Sequence, residues 1–142
     1  MKRWLATNYT LISLALALVF GLVGLFFLIG PNLVISKFNA LSEHLGFRPA
    51  APAQADFFLI LAAAYMAVVT FLAWLMYRHP EDMRLPLILS FAKFTSSLLS
   101  FAFFIGVAPY LIYLANGVVD GFLGLLVLAC RGAVQKDRGG IR

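Results

Sequence analysis

Charge is what this sequence has least of: 12% of its 142 residues are ionic, against about 25% in a soluble domain. Too few charged side chains exist to coat a water-facing globule, and that class is excluded. There is one cysteine, Cys130, so no intrachain disulfide can form; at the end of an apolar run beside Arg131 it is expected to be a small hydrophobe, the alternative being acylation. The two histidines, His44 and His79, both fall outside the apolar runs. That excludes a haem slung between two transmembrane histidines. With a lone cysteine and no run of carboxylates, no metal centre is expected either. No strand-like segment precedes a glycine-rich loop, so a phosphate cradle is not expected. Ser96 and Ser97 have no histidine at their depth to act as base, which leaves no serine nucleophile. No cofactor and no catalytic residue is assigned from the sequence.

Apolar residues fill the space instead, at 63% of the chain. Four runs, about 9–29, 57–77, 85–106 and 109–129, each suffice for a hydrocarbon core about 30 Å thick, which takes ~20 helical residues. Transmembrane strands would alternate apolar and polar positions. "LISLALALVFGLVGLFFLI" and "GFLGLLVLA" do not alternate. The first run follows Met1-Lys2-Arg3 as a signal peptide would, but it exceeds an h-region and no small-x-small cleavage site follows it. The expectation is a single all-α domain, a polytopic membrane protein built as a four-transmembrane-helix bundle.

The net charge of +5 does not point to nucleic acid, because the basic residues flank the spans. Eight of the 11 lysines and arginines (Lys2, Arg3, Arg78, Arg84, Arg131, Lys136, Arg138 and Arg142) fall on the side that holds both termini. Lys37 and Arg48 fall on the other. By the positive-inside rule both termini are cytoplasmic, in a bacterial-type inner membrane.

Within the first extracytoplasmic loop, "GPNLVISKFNALSEHLGF" carries Pro31 where a helix starts and Gly46 where one stops. Val34, Phe38, Leu41 and Leu45 recur at helical spacing, which predicts a short amphipathic helix over about 32–45, lying on the membrane surface or roofing the bundle. Ser13, Ala17 and Gly21, with Gly24 nearby, form a stripe of small residues on the first span. Such stripes let helix backbones approach closely, within one chain or between chains. Pro109 is expected at the first helical position of the last span.

The most informative stretch is "SFAKFTSSLLSFAFF", which places Lys93 in mid-span. Pro109 makes the turn between the last two spans tight. Lys93 lies about fourteen residues before it and Asp120 about twelve after, depths of roughly 21 and 18 Å at ~1.5 Å per residue. At 100° per residue Ser90, Lys93, Ser97 and Ser100 share one arc, and Tyr113, Asn116 and Asp120 share another, flanked by Gly117, Gly121 and Gly124. An unpaired charge near the bilayer centre costs about 2.5–3.5 kcal/mol on insertion scales. The expectation is therefore that Lys93 and Asp120 face each other; the alternative is that Lys93 snorkels to the nearer interface.

Two function classes follow. In the first, the chain is a small membrane subunit or accessory protein that assembles with other membrane proteins, or with itself, through helix packing and the Lys–Asp pair. In the second it is a transporter or a lipid- or quinone-binding protein, whose polar pocket between the last two spans is lined by Lys93, Ser97, Ser100, Tyr113, Asn116 and Asp120. Membrane lipids are partners in both.

Overall fold

The structure is a computed structural model that describes residues 2–50 and 56–139. It comprises six helices: α1 (Lys2–Thr7), α2 (Tyr9–Ile29), α3 (Pro31–Leu45), α4 (Asp56–Arg78), α5 (Leu85–Gly106) and α6 (Leu111–Gly139). No strand occurs among the described residues. The four long helices α2, α4, α5 and α6 are long and apolar enough to cross a membrane, and the protein is a membrane-embedded helical bundle.

The bundle is two tightly packed antiparallel pairs. α2 lies along α4 and α5 along α6, while α4 and α5 join the pairs and α2 and α6 scarcely touch. The α2–α4 seam is where the small-residue stripe is used. Ser13 and Ala17 are buried there. A Cβ on Gly24 would stand 2.8 Å from the Met66 Cβ, and one on Gly21 would stand 3.5 Å from Thr70. The stripe thus serves contact within the chain. In a membrane that seam depends on close packing, because acyl chains supply no hydrophobic drive.

Burial is uneven along the bundle. Near the termini, Leu16, Phe20, Val69, Ala73, Met76, Leu89, Val127 and Cys130 form one continuous core. Toward the α3 end each pair stays closed, but open space lies between the two pairs. The surfaces elsewhere are apolar and open, as at Leu22, Phe91, Leu98 and Phe122, which is how lipid-facing helix sides look.

Three local features depart from expectation. The chain before the first span is itself helical: α1 puts Leu5 into the same core cluster as Ala133 and Val134, and at the junction with α2 the Trp4 carbonyl accepts from both the backbone N–H and the side-chain amide of Asn8, at 3.0 and 2.8 Å. The last helix begins at Leu111 and not at Pro109, which lies in the turn. There the Ala108 N–H still reaches the Phe103 carbonyl at 3.1 Å, so α5 closes with its own cap and needs the extra turn residues. At its other end α6 continues to Gly139, giving 29 residues and about 44 Å at ~1.5 Å per residue, longer than the hydrocarbon core. Its continuation is stabilised by α1 and by Arg131, whose Nε donates to the Met83 carbonyl at 3.1 Å.

α3 starts at Pro31 and stops at Gly46, whose φ of +75° lies in the left-handed region that favours glycine. Its buried residue is Ser42; Leu41 and Leu45 point outward. Asn39 holds the chain that follows, donating to the Ala50 carbonyl at 2.8 Å and accepting from the Ala50 N–H at 2.7 Å. A backbone bridge between Arg48 and Tyr110 and a Phe47–Phe104 ring contact at 6.1 Å then tie this segment to the α5–α6 turn.

Candidate functional site

Where the core stops and the two pairs part, Lys93 of α5 meets Asp120 of α6. The ammonium donates to Asp120 Oδ1 at 2.9 Å, and the two side chains are only 3% and 7% exposed. Lys93 does not snorkel. Two rings complete its surroundings: the Phe20 centroid is 4.4 Å from Nζ and the Tyr65 centroid 5.4 Å. A cation over a ring face gains about 0.5–2 kcal/mol, more as water is excluded. Tyr65 is in turn fixed by its hydroxyl, which donates to the Ala92 carbonyl at 3.1 Å. All four spanning helices therefore contribute to one cationic centre.

Glycines on α6 make the close approach possible. Cβ atoms on Gly121 and Gly124 would come within 2.9 Å of Ser97 Oγ and of the Phe94 ring, and one on Gly117 within 3.1 Å of Phe101. Ser97 uses that room to donate to the Gly117 carbonyl at 2.6 Å. Ser97 is thus a residue of the helix seam, turned away from open space, which corrects its expected place on a pocket wall. A short side chain opposite a glycine has no slack to reach further. One turn on, Asn116 Nδ2 donates to Ser100 Oγ at 2.8 Å and to Ser96 Oγ at 3.2 Å, a second polar clasp between the same helices. Tyr113 packs its ring on Phe103 at 5.9 Å and on Tyr110 at 5.5 Å.

Above the ion pair, on the α3 side, the parted pairs enclose a cleft of about 420 Å³. Lys93 and Asp120 sit at its floor. Ser96, Ser100, Asn116 and Tyr113 line the α5–α6 wall, and Phe20, Val23, Phe27 and Tyr65 the α2–α4 wall. The expected pocket between the last two spans is therefore displaced: α5 and α6 are closed on each other, and the open space lies between α2 and α6. Of the six residues singled out in the sequence, Lys93, Ser100, Tyr113, Asn116 and Asp120 reach this cleft. Sequence reasoning missed Phe20 and Tyr65. Phe20 is one of 14 phenylalanines and carried no signal; Tyr65, a phenol in mid-span among alanines, was the visible hint.

Chemically the site offers hydrogen-bond donors and acceptors around a neutralised charge pair. Among the described residues no group of histidine, cysteine and carboxylate side chains is arranged to hold a metal ion. Compared with protein-family models, curated proteins and solved structures, the chain matches none.

Proposed function

We propose that this protein binds a lipophilic molecule with a polar head in the cleft between α2 and α6, as a carrier, transporter or receptor of such molecules within the membrane. The observation that supports it is the cleft itself: about 420 Å³ of space with an apolar α2–α4 wall, a polar α5–α6 wall and the ion pair at its floor, within the ~300–1,000 Å³ usual for small-molecule sites. The ion pair lies at the floor of that space, its two side chains almost closed off at 3% and 7% exposure. In this reading the termini are cytoplasmic, since eight of the 11 basic residues gather on their side. α3 then lies at the outer surface with Leu33, Leu41 and Leu45, each at least half exposed, in the lipid boundary. The cleft opens in the outer half of the membrane.

Native mass spectrometry of the full chain in nanodiscs tests this. A retained small molecule that is lost in the Lys93→Met/Asp120→Leu variant, with the helical fold intact, supports the reading. A cleft that carries no such molecule and takes none from added lipid extract defeats it.

The accessory-subunit reading has one observation in its favour. A second, mostly apolar groove of about 730 Å³ runs along α2 and α4 past Gly21, Ala63, Ala67 and Trp74, and fits a partner helix. Against it, Ser13 of the small-residue stripe and the ion pair are both buried inside the chain, and Gly24 closes on Met66. Crosslinking in intact membranes followed by purification distinguishes the two, since a subunit brings a stoichiometric partner.

A further inference from the structure

The cleft's lips and its charge balance specify what reaches it. Building on the binding role proposed above, we infer that the cleft admits an uncharged, oxygen-bearing lipophile sideways from the bilayer, through the gap between α2 and α6.

The route follows from the lips. Val19 and Val23 on α2 and Val119 on α6 line the cleft and are 51%, 38% and 53% exposed. All three stand in the interior of spanning helices that scarcely touch each other, and their exposure leaves the gap open beside them. An opening bordered by valines in the interior of spanning helices faces acyl chains. A molecule dissolved in the bilayer reaches it by lateral diffusion, whereas a water-soluble solute must first leave water.

The head group follows from the floor. Among the described residues Lys93 and Asp120 are the only lysine, arginine, aspartate or glutamate on the cleft wall, and their charges cancel. An anionic head drawn to the ammonium also meets the carboxylate 2.9 Å away, and a cationic head meets the ammonium. An uncharged head escapes both penalties. The hydrogen-bonding capacity left over is mixed: an ammonium has three N–H groups, of which one is used on Asp120 Oδ1, and the carboxylate has a second oxygen. Ser100 accepts from Asn116 and retains its own proton to donate, while the Asn116 amide oxygen accepts. Carbonyl and hydroxyl oxygens satisfy such a set. Phe20, Phe27 and the valines suit a ring or tail beside them. Two sources share this chemistry, a long-chain quinone or quinol and a neutral glyceride.

The test uses the full chain in phosphatidylcholine nanodiscs, titrated separately with decylubiquinone, 1-monoolein and the permanent anion hexadecyl sulfate. At least one neutral probe should bind about tenfold or more tightly than the sulfate, and its binding should fall by about the same factor in Lys93→Met/Asp120→Leu. The stronger neutral probe identifies the source. Sulfate binding equal to or tighter than both neutral probes overturns the inference but leaves the cleft as a binding site. Failure of all three, or binding unchanged in the double variant, removes the site as well.

The route is read separately, from Val23→Trp in a Trp4→Phe/Trp74→Phe background. Brominated acyl chains should quench that tryptophan several-fold more than aqueous iodide. Stronger quenching by iodide overturns the sideways route.

Discussion

The Lys93 ammonium stands 2.9 Å from the Asp120 carboxylate and 4.4 Å from the centre of the Phe20 ring, so a charge in mid-membrane is neutralised by one helix and capped by another. Removing a single member of a buried pair leaves the other uncompensated, at a cost of about 3–5 kcal/mol. Lys93→Met and Asp120→Leu should each lower thermal stability in detergent sharply. The double variant should recover most of the loss, and a double variant no better than the singles would show that the two groups are not coupled.

The two glycines of the α2–α4 seam should respond oppositely to alanine. A methyl on Gly21 meets Thr70 at an ordinary 3.5 Å, and gains up to ~1 kcal/mol of helix propensity. A methyl on Gly24 would lie 2.8 Å from the Met66 Cβ, an atom fixed to its backbone, and should cost about 1–3 kcal/mol. Equal melting temperatures for Gly21→Ala and Gly24→Ala would contradict the seam.

On the other pair, Gly121→Ala drives a methyl toward Ser97 Oγ, 2.9 Å away, and displaces its bond to the Gly117 carbonyl. Intramembrane hydrogen bonds average about 0.6 kcal/mol, so the expected loss is about 1–2 kcal/mol with the strain included. Gly132→Ala, inside the same helix with nothing within 4 Å, is the control and should hold or raise the melting temperature, by up to ~1 kcal/mol of helix propensity.

Asn116→Leu should separate binding from folding. It removes the clasp to Ser96 and Ser100, worth about 1 kcal/mol in all at membrane values, and takes the amide oxygen from the cleft wall. Affinity for a bound lipophile should drop several-fold while the melting temperature shifts by a few degrees. A variant that unfolds in mild detergent would assign Asn116 to structure alone.

Orientation is tested with single cysteines in a Cys130→Ser background. An impermeant maleimide added outside intact cells should label Ser36→Cys on α3, and should label Gln135→Cys on α6 only after permeabilisation. The reverse pattern would invert the topology argued from the basic residues.

The membrane class and the four spans were legible without coordinates, because hydrocarbon thickness and backbone hydrogen bonding translate apolar length directly into helix. The pairing of Lys93 with Asp120 was legible for a similar reason. A tight turn sets two antiparallel helices in register, and the penalty on a lone charge forces their polar arcs together. The start of α6 was not legible, because Pro109 suits a turn as well as a first helical position.

What the linear chain could not contain was the relation between the two hairpins. Apolar helices in lipid gain little from burying greasy faces, so composition does not say which sides will touch. Only the tertiary arrangement decided that Gly24 closes on Met66, that Ser97 is spent in a seam, and that α2 and α6 stand apart. That separation converts the ion pair from a packing device into the floor of an open cleft, and it depends on the fit of side chains distant in sequence.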